Sequence, residues 1–289
     1  MMPFAFDEPK TFARAVAALD AEDGSVRPVA GGTALMLMMK AGVFAPTRLV
    51  SLEKIEKRYS AIRIDSHGAL CVGAMAPLSA LEYSGKVAAR FPVVKETMRT
   101  LSNIRVRNVA RVGGALAHGD PHMDLPPLFA ALGAKVIVRG KSGVREIQVD
   151  ELYAGYYETV LAKDELIAEA IVPPIGDAKC AYMKCTSRSA DDWPALGIAV
   201  RFEIEGAGGI KNPRLVLSAA TDKVTRLTAA ESVLEGEEAT DEVFAKAAEA
   251  AAGEASLLSD AHGSAAYKRE LLRVYLSRAL RHAMRGKHA

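Results

Sequence analysis

Apolar residues recur along this chain in two rhythms, one of about 3.6 residues and one of 2, and their order lays out an α+β protein. In "DEPKTFARAVAAL", Phe12, Ala13, Val16 and Leu19 fall near the helical period behind a proline start signal, so an amphipathic helix is expected there. "SVRPVAGG" reads as a strand entering a turn. "TALMLMMKAG" reads as a helix with Thr33 at its N-cap and Gly42 at its close, and "RLVSL" as a second short strand. These segments form a small α/β lobe over about residues 1–55.

From Tyr59, "YSAIRIDSHGALCVGAM" alternates as a hairpin around Ser-His-Gly, and "LSALEYSGKVAARFPVVKETMRTLSN" has the helical period. "IRVRNVARVGG" leads into a second glycine pair, and "DPHMDLPPLFAALGA" is expected to be a helix capped by Asp120 with Pro121 at its first position. "KVIVRGKSGVREIQV" is another hairpin and "DELIAEAIVPP" a closing strand, which sets a second lobe at about 56–176 with a boundary near Gly176. Beyond it, over 177–289, strands ("CAYMKCTS", "ALGIAVRFEIEG", "PRLVLSAA") precede segregated helices, the arrangement of a three-stranded α+β layer.

Composition narrows the function classes. Half of the 289 residues are apolar, enough for a sizeable core. Basic and acidic residues balance at 37 against 35, so no whole-protein field draws in nucleic acid or anionic lipid. No apolar run reaches the ~20 residues of a membrane helix, and "MMPFAFDEPK" resembles no leader, so a cytoplasmic location is expected. Cys71, Cys180 and Cys185 read as small buried hydrophobes. Thiolate-held iron–sulfur clusters use more cysteines than that, so any electron transfer by this chain is expected to use an organic cofactor.

The chemistry concentrates at Gly31-Gly32 and Gly113-Gly114. A glycine pair before a helix removes Cβ atoms and permits positive φ, so that amides can converge on an anion near the helix start. Two such loops could clasp a diphosphate. Neither continues as G-x-G-x-x-G or as a phosphate loop, and a tight turn alone also uses Gly-Gly. In "HGDPHMD", Pro121 breaks a helix between His118 and His122, so a helical zinc site is not expected and no metal is assigned. In "AYMKCTSRSADD", Lys184, Arg188 and Asp192 recur every fourth position, which by itself also describes a solvated charge row. Trp193, the one tryptophan, is expected in the core.

"AGGTALM", "VRNVARVGGALAHGDPHMDLP" and "YMKCTSRSADDWPALGIAV" resemble three marks of the FAD-binding medium subunit of molybdenum hydroxylases, the group that includes carbon monoxide dehydrogenase and xanthine dehydrogenase. "TRLTAAESVLEG" and "SDAHGSAAYKRELLRVYLSRAL" are similar to that family's C-terminal segments, so the resemblance runs the length of the chain in order.

The resemblance implies a two-lobed FAD-binding domain of the PCMH or vanillyl-alcohol-oxidase-like type, followed by a smaller α+β domain. It implies FAD as cofactor, with Val29, Ala30, Gly31, Gly32, Thr33, Ala34 and Leu35 presenting main-chain amides to the diphosphate. Ala110, Arg111, Val112, Gly113, Gly114 and Ala115 would close over it, His118 and Asp124 would lie near its phosphate and ribose, and Lys184 would reach the flavin ring. Relatives commonly carry Thr and Asn or Ser where this chain has Arg111 and Ala115, and a polar residue where it has Ala34; Arg111 itself suits a phosphate.

The implied partners are a small subunit with 2Fe–2S clusters and a large molybdopterin subunit, assembled as a dimer of heterotrimers, with NAD+ or a quinone as external acceptor. The alternative is a stand-alone FAD oxidoreductase of the same cofactor fold, like UDP-N-acetylenolpyruvoylglucosamine reductase. A third reading is a non-catalytic module whose altered loops no longer hold FAD.

Overall fold

In the computed structural model, which describes residues 2–206 and 208–286, the first lobe is a β-α-β-α-β unit. It comprises β1 (Ala5–Asp7), α1 (Phe12–Ala18), β2 (Val26–Val29), α2 (Leu35–Lys40) and β3 (Arg48–Ser51). β3 lies between β1 and β2 and is parallel to both. Thr11 caps α1 by accepting from the Arg14 amide at 3.2 Å. Phe12, Val16, Val26 and Val50 fill the lobe's core, which is completed by Tyr59, Met75, Leu166 and Ala168 from beyond it.

The second lobe is built on an antiparallel five-stranded sheet in the order β4-β5-β10-β6-β7. β4 (Ile62–Ile64) and β5 (Leu70–Gly73) form the first expected hairpin. Helices α3 (Leu78–Tyr83), α4 (Gly85–Arg90), α5 (Pro92–Thr100), α6 (Ile104–Val109), α7 (Val112–Ala117) and α8 (Leu125–Ala131) follow. β6 (Lys135–Gly140) and β7 (Gly143–Gln148) make the second hairpin, β8 (Tyr153–Gly155) and β9 (Glu158–Thr159) a small ribbon, and β10 (Leu166–Val172) returns to the sheet centre. Gly176 then turns the chain at φ 54°. The ends of the sequence-based division, residue 1 and residues 287–289, lie outside the described residues.

The C-terminal sheet has four strands rather than the expected three: β11 (Lys179–Cys185), β12 (Leu196–Glu205), β13 (Gly209–Ser218) and the two-residue β14 (Thr225–Arg226). β14 is too short to show a period of 2. Along β12 the side chains alternate. Leu196, Ile198, Val200 and Phe202 pack under α9 (Thr228–Leu234), α10 (Asp241–Glu254) and α11 (Ala265–Arg285), while Ala199 joins the core of the second lobe. Both faces of this sheet are therefore buried, and α8 packs against β12 and β13 from the other domain. The junction between the domains is an apolar layer, and that layer fixes where β11 stands relative to α7 and α8.

Two expected helix starts move. α2 begins at Leu35 behind Ala34, and Thr33 makes no cap. α8 begins at Leu125 behind Asp124, because residues 121–124 form turns and Asp120 is used elsewhere.

Candidate functional site: the glycine turns and the domain junction

The first glycine pair stands between β2 and α2. Gly32 has φ 70°, a conformation that side-chain-bearing residues adopt at a cost. Gly31 has another reason to be glycine: a Cβ there would lie 2.1 Å from the Val109 carbonyl oxygen, so the second lobe's main chain is pressed against it. Among the described residues, none of the six consecutive amides from Ala30 to Leu35 donates to a protein acceptor, although this stretch is half-buried. Buried or half-buried amides rarely stay unpaired, so this run is a cradle of donors awaiting an acceptor.

The second pair differs from its expectation. It is no loop before a helix but the first turn of α7 itself. The Val112 and Gly113 amides donate to the Ala76 and Ala74 carbonyls at 3.0 and 2.7 Å, and a Cβ on Gly113 would meet the Ala74 Cβ at 2.6 Å. Gly113 is therefore required by packing within its own lobe. Gly114 is exposed, has open space where a Cβ would be, and its amide has no protein acceptor among the described residues. Ala110 and Val112 are buried in the lobe's core, as is Ala115.

Arg111 precedes α7, and its guanidinium donates to Glu53 of the first lobe at 3.0 and 3.2 Å. Its Nε is buried with no partner. The ion pair and the Gly31–Val109 contact fasten the two glycine turns side by side.

The turn from His118 to Asp124 meets the C-terminal domain through two polar connections, of which the one at Asp124 is buried. Asp124 accepts from the Tyr182 hydroxyl at 2.6 Å and from Lys184 Nζ at 3.1 Å. Lys184 also donates to the Asp192 carbonyl at 3.1 Å, and the Lys184 and Asp124 side chains are only 6% and 8% exposed. Burial pushes the Asp124 carboxyl above its ordinary range against the opposing pull of Lys184 and Tyr182. Burial and the nearby Asp124 push the Tyr182 phenol well upward, so it is a neutral donor.

Asp120 is no helix cap. It accepts from the His122 amide, faces His122 Nδ1 at 2.9 Å, and accepts from the Tyr157 hydroxyl. His122 Nε2 faces Asp260 at 3.3 Å, and Asp260 pairs with the fully buried Lys268 at 2.6 Å. Although burial alone would raise both Asp120 and Asp260, hydrogen bonds from His122 and Lys268 hold them below the usual carboxylate range. The described residues contain no group of three or more metal-ligating side chains, and the histidines of "HGDPHMD" act separately. His118 lies edge-on to Tyr157 at 5.1 Å, and burial lowers its basicity.

Trp193 is not a core residue. It is 50% exposed and stacks over His122 at 5.8 Å. The charge row at fourth positions also dissolves: Lys184 is on β11 and turned inward, while Arg188 and Asp192 pair at 3.0 Å in the exposed loop that follows. Tyr182 escaped the sequence reading, although a residue two before Lys184 on a strand shares its face. Glu53 carried no signal at all.

The comparisons agree along the whole chain. The family of the FAD binding domain in molybdopterin dehydrogenase matches residues 2–175, and that of the CO dehydrogenase flavoprotein C-terminal domain matches residues 181–283. The carbon monoxide dehydrogenase medium chain of Afipia carboxidovorans is 31% identical over 98% of each chain. The glyceraldehyde dehydrogenase medium chain of Sulfolobus acidocaldarius is 26% identical over 96% of this chain and 97% of that one. A solved carbon monoxide dehydrogenase from Hydrogenophaga pseudoflava superposes with a TM-score of 0.93 at 32% identity, covering 98% and 99% of the two chains. Ordered motifs, cradle and comparisons converge: this chain belongs to the FAD-binding medium subunits of the molybdenum hydroxylases, an oxidoreductase subunit whose cofactor is FAD.

Proposed function

We propose that this chain carries electrons within such a hydroxylase complex, accepting them from 2Fe–2S clusters of a small subunit and delivering them to NAD+ or a quinone. A large molybdopterin subunit would oxidise the substrate, and the assembly would be a dimer of heterotrimers. The observation that carries the reading is the run of six unpartnered amides from Ala30 to Leu35, pressed at Gly31 against Val109 and Ala110 at the entry to α7. Those amides and that of Gly114 would hold the FAD diphosphate, with Val29 and residues 110–115 shaping the walls, and His118 and Asp124 beyond. FAD supplies a carrier that takes up electrons singly and releases them in pairs. On this reading Lys184 places an ammonium where negative charge gathers on reduction, which raises the potential. The division into a FAD-binding domain over 1–176 and a C-terminal domain over 177–289 belongs to the same reading.

The matching C-terminal domain favours this function over a stand-alone reductase. The purified chain should bind FAD stoichiometrically, seen as flavin absorption and as quenching of fluorescence during titration. It should co-purify with the small and large subunits when the three are expressed together. NADPH oxidation by the isolated chain with a UDP-sugar would instead select the stand-alone enzyme.

A further inference from the structure

Lys184 is buried, and the residues that hold it are as informative as the lysine itself. The Asp124 carboxylate is surrounded by one ammonium and one phenol, both from β11. Tyr182 and Lys184 are two residues apart on that strand and so project from the same face, toward the first domain. Gly197 on the neighbouring strand makes this arrangement fit: a Cβ there would lie 2.8 Å from the Tyr182 hydroxyl and 2.5 Å from the Ser218 hydroxyl. A glycine in a strand interior weakens the strand, and here it clears the space through which the phenol reaches Asp124.

Two opposite charges in so dry a place sustain each other. Removing the lysine leaves the carboxylate with the desolvation penalty and no compensation, and it takes up a proton; removing the carboxylate still leaves the lysine its Asp192 carbonyl and, in the loaded chain, the negative charge that gathers on the flavin ring. We propose that Asp124, oriented by Tyr182, is a positioning residue that fixes Lys184 and masks part of its positive charge, and thereby sets the potential of the flavin this domain binds. The inference rests on the proposed placement of Lys184 at the flavin ring. It gives Asp124 a role that acts through a lysine rather than through the ribose. Because burial raises the Asp124 carboxyl, acid unmasks Lys184: the carboxyl takes up a proton as pH falls through its raised value.

The test is the midpoint potential of the bound flavin, measured spectroelectrochemically on the full chain reconstituted with FAD. Asp124→Asn keeps the shape of the site and an oxygen for Tyr182, and should raise the potential. Lys184→Met should lower it. In the Lys184→Met background Asp124 has no counter-ion and is neutral, so adding Asp124→Asn should change nothing. Tyr182→Phe should shift the potential in the same direction as Asp124→Asn and by less. In the wild type the potential should climb more steeply with falling pH than in Asp124→Asn. An Asp124→Asn protein with unaltered potential overturns the proposal. So does a shift that persists in the double variant, which would mean that Asp124 acts on the flavin directly. A wild-type chain that takes up no FAD would instead overturn the functional reading beneath it, and an unmoved potential in Lys184→Met would remove the lysine from the ring.

Discussion

Gly31-Gly32 occupies a turn whose amides have no protein acceptor, whereas Gly113-Gly114 is wound into the first turn of a helix, where the Gly113 amide is already used by the Ala74 carbonyl and the Gly114 amide is not. In sequence the two are the same pair, each with apolar residues after it. In each, the first glycine answers to the protein: Gly31 to the Val109 carbonyl of the other lobe, Gly113 to Ala74 of its own. The second glycines part company, since Gly32 is needed for its φ of 70° and Gly114 for nothing the protein itself supplies. Of the four, Gly114 is the one that neither packing nor backbone conformation requires.

Substitutions at these positions can break the comparison. The largest effect is expected from Gly31→Ala, because a main-chain carbonyl at 2.1 Å cannot rotate away as a side chain would. The lobes must separate, at or above the upper end of the ~1–3 kcal/mol that overpacking costs, with loss of FAD retention. Thermal unfolding with and without FAD measures both. Gly113→Ala should cost roughly 1–3 kcal/mol by the same mechanism, and Ala74→Gly should restore much of it, since the clash is with that methyl group. Persistence of the defect in the double variant would mean that the Ala74 main chain, which the added methyl meets at 3.1 Å, is the obstacle rather than its side chain.

Gly114→Ala sharpens the contrast through its sign. In an open helical position alanine should stabilise the apo chain by ~0.5–1 kcal/mol, while the added methyl weakens FAD binding in a fluorescence titration. Stabilisation together with unchanged FAD affinity would remove the second pair from the cofactor site and leave the cradle to residues 30–35. Smaller again is the effect of His122→Ala on the second polar connection. The apolar packing of α8 on β12 and β13 holds the domains together, so a modest fall in melting temperature with flavin still bound is the expected result.

Much of the architecture was legible because it is local. Both hairpins, the strands on either side of the first pair, and the segregated helices at the C-terminus follow from periodicity and turn residues. Helix starts were less so. Thr33 and Asp120 have good capping side chains, yet the chain places Ala34 and Asp124 at those positions. Asp120 is drawn instead to His122 and Tyr157, contacts formed across the turn and across the lobe. Trp193 was expected inside by its size and stands half outside, because its ring lies on His122 at the surface of the junction.

By itself the sequence determined the alternation of strands and helices, the positions of the two glycine pairs, and membership of a family through motifs in fixed order. Those properties depend on residues near one another along the chain. Only the tertiary structure decided which amides remain unpaired, which glycine is crowded by a distant carbonyl, that Arg111 is claimed by Glu53, and that Lys184 is paired with Asp124 through a space cleared by Gly197. Each of these is a matter of what stands opposite a group once the apolar layers have closed, and burial then sets how strongly the charges meeting there are felt.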